Sequence, residues 1–205
     1  MLKIAIAILF VMVIVVVIRR SRRQSILDTK SRNRHFVSLA EQLHFGRGGD
    51  DYFIQLEGSW KGHPVLIYPH NFQGPGSITL FYADTGVPFR ERTWIEPALS
   101  LGRAIVEWKR NSPFGYETSG DPAALPVEQL VTAIERYKSR FPFIAVTLPT
   151  RFIFSHYTMQ TLQQWKNFLV LLVLDAGRNP QLAEIREALD AAIDLAEVAR
   201  TPSPQ

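Results

Sequence analysis

The chain has 205 residues, no cysteine, 46% hydrophobic and 20% charged residues, and a formal charge of +4. That length can bury a core without staples, and an aromatic content of 11% does not suit a disordered chain. Without cysteine, a disulfide scaffold, a thiol nucleophile and any thiolate-ligated metal centre are excluded.

Seventeen of the first eighteen side chains are apolar, Lys3 being the exception, and Ile4 to Ile18 runs without a break. As a helix of about 27 Å, at ~1.5 Å per residue, this stretch suits a hydrocarbon core roughly 30 Å thick. A cleavable leader needs small residues after its apolar core. Here Arg19, Arg20, Arg22 and Arg23 follow at once, as a stop-transfer flank does. A buried strand of that length would far exceed ordinary strands. The expectation is an uncleaved single-pass anchor over 1–18 and a basic linker over 19–35. The arginine excess behind the anchor places the amino terminus outside and the body in the cytoplasm.

The pI near 9.5 belongs to this short stretch. Residues 1–35 hold eight Lys and Arg against Asp28 alone, +7, and the remaining 15 basic and 18 acidic residues leave the body at −3. The linker either fixes topology as a solvated segment or contacts anionic headgroups, at about 1 kcal/mol per basic residue near the surface. The body shows no basic face interleaved with aromatics, so nucleic acid is not an expected partner.

In the body, Phe36, Leu39, Ala40 and Leu43 recur at helical spacing over 35–45, and Gly46, Gly48 and Gly49 end that helix in a turn. Tyr52–Gly58 and His63–Tyr68 read as a hairpin around Ser59–Gly62, Asn71–Gly76 as a loop, and Ser77–Tyr82 as a third strand. Ala104–Trp108 reads as a fourth strand and 111–126 as a loop. A helix is predicted over Val127–Arg140, followed by strands at Phe143–Leu148 and Arg151–Ser155. Helical spacing resumes from Met159 to Val173, with Gly177 as its C-cap and Asn179-Pro180 opening a last helix to Arg200. The order predicts an α+β domain over 36–176, with an antiparallel sheet and helices on one face. A C-terminal helix over 177–200, paired with the preceding one, and a polar tail over 201–205 complete the chain.

Chemistry is sparse. Gly46-Arg47-Gly48-Gly49 follows a helix and precedes a strand, the reverse of the order a phosphate cradle uses. The five histidines, His35, His44, His63, His70 and His156, form no metal-binding spacing, so no metal or cofactor is expected. His63 and His70, seven apart, with Glu57 or Asp84, are the polar groups that can converge; His63, His70 and Asp84 are the candidates to examine. Ser155 and His156, adjacent in a strand, would point to opposite faces and cannot pair as nucleophile and base. Phe72, Phe81, Tyr82, Phe89 and Trp94 either line a groove or belong to the core.

The turn after LEGSWKGHPVLIY and the later GDP loop resemble uncharacterised bacterial domains in which a strand closes with G-x-x-x-G-x-P/V-V. The resemblance spans about residues 36–176, rests on Gly58, Gly62, Val65, Gly120, Asp121 and Pro122, and implies an α+β fold without any functional residue. With no catalytic motif, the expected role is protein binding by a membrane-anchored cytoplasmic domain, as an assembly or scaffold subunit or a homo-oligomer. The alternative is a membrane-tethered enzyme or a small-ligand or lipid-binding domain.

Overall fold

The computed structural model describes residues 14, 19, 29–49, 54–71, 77–89, 93–120, 124–149, 151 and 156–201. Ile14 and Arg19 are helical. The rest of the apolar run, Arg20, Arg22 and Arg23, the Phe152–Ser155 strand, and Asp121 and Pro122 lie outside the described residues. Among the described residues no helix is long and apolar enough to cross a membrane.

The body is α+β. Eight strands, β1 (Gly46–Gly49), β2 (Ile54–Trp60), β3 (His63–Asn71), β4 (Ser77–Pro88), β5 (Trp94–Pro97), β6 (Tyr116–Ser119), β7 (Phe143–Thr147) and β8 (Asn167–Leu174), form one sheet. Its order is β1-β2-β3-β4-β8-β7-β5-β6, and every pairing is antiparallel. The helices that accompany it among the described residues of the body are α1 (29–43), α2 (Leu101–Lys109), α3 (Val127–Tyr137), α4 (His156–Leu162) and α5 (Leu182–Arg200).

The helices cover both faces of the sheet and not one. On the first face α1, α3 and α5 bury Phe36, Leu39, Leu130, Ile134, Ile185 and Leu189 against Leu56, Ile67, Phe81 and Val170. On the second, α2 and α4 place Leu101, Ala104, Ile105 and Leu162 against Leu66, Leu80, Tyr82 and Leu171. The cause is visible in β8, where all residues from Phe168 to Leu174 are buried. A strand apolar on both sides must be covered on both sides, at about 1.5–3 kcal/mol for each large side chain buried.

That same strand explains a second departure. Because every position from Phe168 to Leu174 is apolar, its residues satisfy helical spacing and strand alternation equally. The long helix over Met159–Val173 is instead the short α4 followed by the central β8, so no C-terminal helical pair exists. Gly177, with φ +64, turns the chain behind β8, donating its N–H to Asp175 Oδ1 at 3.1 Å. The last helix starts one residue after Gln181, which with Glu184 forms a capping box, and Asn179 does not cap it.

Two short elements also differ. Ala104–Trp108 belongs to helix α2, whose buried Leu101, Ala104 and Ile105 stand at i, i+3 and i+4. Gly46–Gly49 is an edge strand and not a turn, in register with Ile54–Glu57. The expected loop over 111–126 contains β6, which pairs with β5. The hairpin of β2 and β3, the third strand, α3 and β7 stand where the pattern places them. A Cβ on Gly58 would meet the Phe45 ring at 2.4 Å, so this glycine lets Phe45 lie flat on β2.

Candidate functional site

The three polar candidates do not converge. His63 and His70 stand at opposite ends of β3, about 23 Å apart at ~3.4 Å per residue, and their odd separation puts them on opposite faces. Asp84 does meet His63, through its main chain. His63 is 1% exposed; its Nδ1 is hydrogen-bonded with the Asp84 carbonyl oxygen at 2.8 Å, and its Nε2 with Glu197 Oε1 at 2.5 Å. Both ring nitrogens are therefore engaged, one by a main-chain carbonyl and one by a carboxylate. The hydrogen bond from His63 holds the Glu197 carboxyl below the usual range.

Around this contact the β4–β8 ladder slips between Asp84 and Pro88. The bulge turns Asp84 inward, where Oδ1 accepts from Gly86 N at 2.6 Å and from Asn167 Nδ2 at 2.8 Å. Thr85 Oγ1 donates to the Phe168 carbonyl at 2.7 Å. Arg200 Nε donates to the Thr85 carbonyl at 2.6 Å, and its guanidinium lies 3.3 Å from Glu197. Gly86 has φ +71, and a Cβ there would meet the Arg200 guanidinium at 2.5 Å. His63, Glu197 and Arg200 fasten the end of α5 to the bulge of β4, while the Asp84 and Thr85 side chains tie that bulge to β8. Glu197, Arg200 and Asn167 carried no local signal, since they lie 83 to 134 residues from the groups they bond.

His70 sits apart, half-buried, its ring 5.8 Å from that of Tyr68. Burial first, and then the charge of Arg32 on α1, hold its pKa below the usual histidine value. His35 Nε2–H donates to the Pro180 carbonyl at 2.7 Å, tying α1 to the approach of α5, and His44 is exposed in a left-handed conformation. His156 opens α4. Among the described residues no three His, Asp or Glu side chains gather as metal ligands.

The aromatic run divides as well. Phe81 and Tyr82 enter opposite cores, Phe89 stacks edge-on with Phe168 at 6.3 Å, and Trp94 carries Arg151 over its ring at 4.0 Å. Phe72 lies outside the described residues. Arg151 in turn bonds Glu96 through both Nε, at 2.5 Å, and Nη2, at 2.9 Å. These rings are structural, each with its own neighbours.

The remaining surface feature lies at the first sheet edge. Among the described residues β1 pairs only with β2, and α1 runs beside it. Between them lies a hollow of about 550 Å³ lined by Lys30, Asn33, Arg34, Val37, Arg47, Gly48, Gly49 and Ile54. An adjoining hollow of about 700 Å³ is lined by Val37, Ala40, Glu41, His44, Phe45 and Arg47. The shared residues Val37 and Arg47 make one continuous groove along α1. Among the described residues, Lys30, Arg34 and Arg47 have no carboxylate within 4.0 Å. Lys30 and Arg34 fall in the basic stretch expected as a linker or as the start of a helix; their place against a sheet edge needed the tertiary fold. No protein-family model matches the chain, and no curated protein and no solved structure is significantly similar to it.

Proposed function

We propose that the protein is a single-pass membrane-anchored binding domain, held at the cytoplasmic face by residues 1–18 and engaging a protein partner or a second copy through its body. The anchor is supported by fifteen consecutive apolar residues closed by four arginines within five positions. The binding reading is carried by one observation, the open β1 edge beside α1. Sheet edges offer unpaired N–H and C=O groups, and natural proteins guard them unless they are used. The prominent buried histidine argues in the same direction, because both of its ring nitrogens are consumed in holding α5 to β4.

Site-specific photo-crosslinking tests the reading in native membranes. A photoreactive residue at Arg47, and a second at the exposed Val106 of α2, report which face meets another chain. A discrete crosslinked product supports the reading. A lone monomer from both positions, and again after extraction in several mild detergents, counts against it.

A further inference from the structure

The groove beside β1 has a shape and a charge that select its occupant, and this inference rests on the binding reading above. From Lys30 to Leu43, α1 flanks the groove for about 20 Å, at ~1.5 Å per residue. An extended strand of six residues is about 20 Å long. One wall is a helix and the other is strand Gly46–Gly49, three of whose four residues are glycines and present backbone without side chains. Among the described residues, no backbone group outside β2 bonds that strand.

Charge is distributed unevenly along the groove. Lys30, Arg34 and Arg47 line the end over Gly48 and Gly49, while Val37, Ala40 and Phe45 line the other, where Glu41 and His44 stand at the rim. The carboxylate nearest by sequence pairing, Glu57, belongs to the opposite face: Ile54 and Leu56 join the α1 core, whereas Gln55 and Glu57 bond Thr161 of α4. Asp50 and Asp51 follow Gly49 in the sequence.

We propose that this groove takes an extended peptide segment of a partner protein, added antiparallel to β1, with acidic residues at its N-terminal end. The main-chain ladder supplies the binding, as in other strand additions, and the cations set the register. In an antiparallel addition the peptide's N-terminal end lies over Gly48 and Gly49, so its acidic residues meet Lys30, Arg34 and Arg47. Alternate apolar side chains then face Val37 and Ala40.

The probe is the capped octapeptide Glu-Glu-Thr-Val-Thr-Val-Thr-Val, titrated by fluorescence anisotropy against the full chain in nanodiscs of neutral lipid. Saturable binding is expected, with at least tenfold weakening for the Lys-Lys counterpart and for R34E/R47E. Two peptides with alternate amides N-methylated, in the two possible phases, separate strand addition from charge attraction: one phase is expected to lose binding and the other to keep it. Hydrogen exchange at Gly46–Gly49 is expected to slow on saturation.

Equal binding by both methylated peptides overturns strand addition. Competition by millimolar inorganic phosphate, or by vesicles containing phosphatidylserine, without protection at Gly46–Gly49, overturns it in favour of an anion site. A large loss of melting temperature in R34E/R47E, alongside no peptide binding by the unaltered chain, shows that the cations serve the chain's own Asp50 and Asp51. A crosslink at Val106 with none at Arg47 sinks the peptide groove alone, while absence of both sinks the binding reading.

Discussion

Replacing His63 by alanine tests whether the polar node at the end of α5 is structural. The ring is 1% exposed, whereas the Glu197 side chain is 56% exposed. Removing the ring leaves the Asp84 carbonyl buried without its donor, at about 1–3 kcal/mol, and takes away two hydrogen bonds worth about 1 kcal/mol each. With the void added, His63→Ala is expected to cost at least about 3 kcal/mol, a depression of the melting temperature by at least roughly 6 °C for a body of this size. Glu197→Ala removes a partner that water can replace, and its cost is expected to stay below about 1 kcal/mol after solvent screening. The asymmetry is the prediction. Thermal unfolding of the full chain in mild detergent, followed by far-ultraviolet circular dichroism, measures both variants in parallel. Equal costs, or a larger cost for Glu197→Ala, would refute the argument that burial of the ring governs this node.

Four further outcomes are expected. His70 has a folded-state pKa depressed by burial and by Arg32, so its contribution is complete above the unfolded value of about 6.5 and is lost as pH falls through the folded one. His70→Gln should therefore flatten the fall in melting temperature between pH 7 and 5, and an unchanged slope would contradict this. Glu197, lowered by His63, contributes stability present above about pH 4.5 and lost as pH falls further, so Glu197→Gln should be less acid-sensitive in denaturant titrations below that pH. Val170→Ala and Leu171→Ala, on opposite faces of β8, should each cost about 1–4 kcal/mol in urea unfolding; a tolerant member of the pair would contradict the two-sided core. A fluorescent-protein fusion after Gln205 should fluoresce in the cytoplasm, whereas activity of an alkaline phosphatase fusion at that site would reverse the proposed topology.

Legibility in the sequence followed apolar periodicity together with flanking turn residues. Elements with a single apolar face were readable: α1 from Phe36, Leu39, Ala40 and Leu43, α3 from Leu130 and Ile134, and the β2–β3 hairpin from its Gly62 turn. β8, apolar on both sides with no turn signal to separate it from α4, and the glycine strand β1 were not. β8 lacks a polar position to reveal its period, and Gly46–Gly49 has almost no side chains to show one. The candidate site was legible in part. His63 and Asp84 do meet, but the partners that define the node, Glu197 and Arg200, sit more than a hundred residues away, and His70 faces elsewhere.

The sequence by itself determined the charge partition, a +7 amino-terminal stretch ahead of a −3 body, and the α+β class, because composition and apolar periodicity are local properties of the chain. Only the tertiary structure decided that helices cover both faces of the sheet, that β8 lies at its centre, and that Lys30, Arg34 and Arg47 share one groove at its edge. The physical reason is separation along the chain. Strand order and side-chain clusters are set by packing between segments tens to hundreds of residues apart, and no short pattern records which segment will be the neighbour.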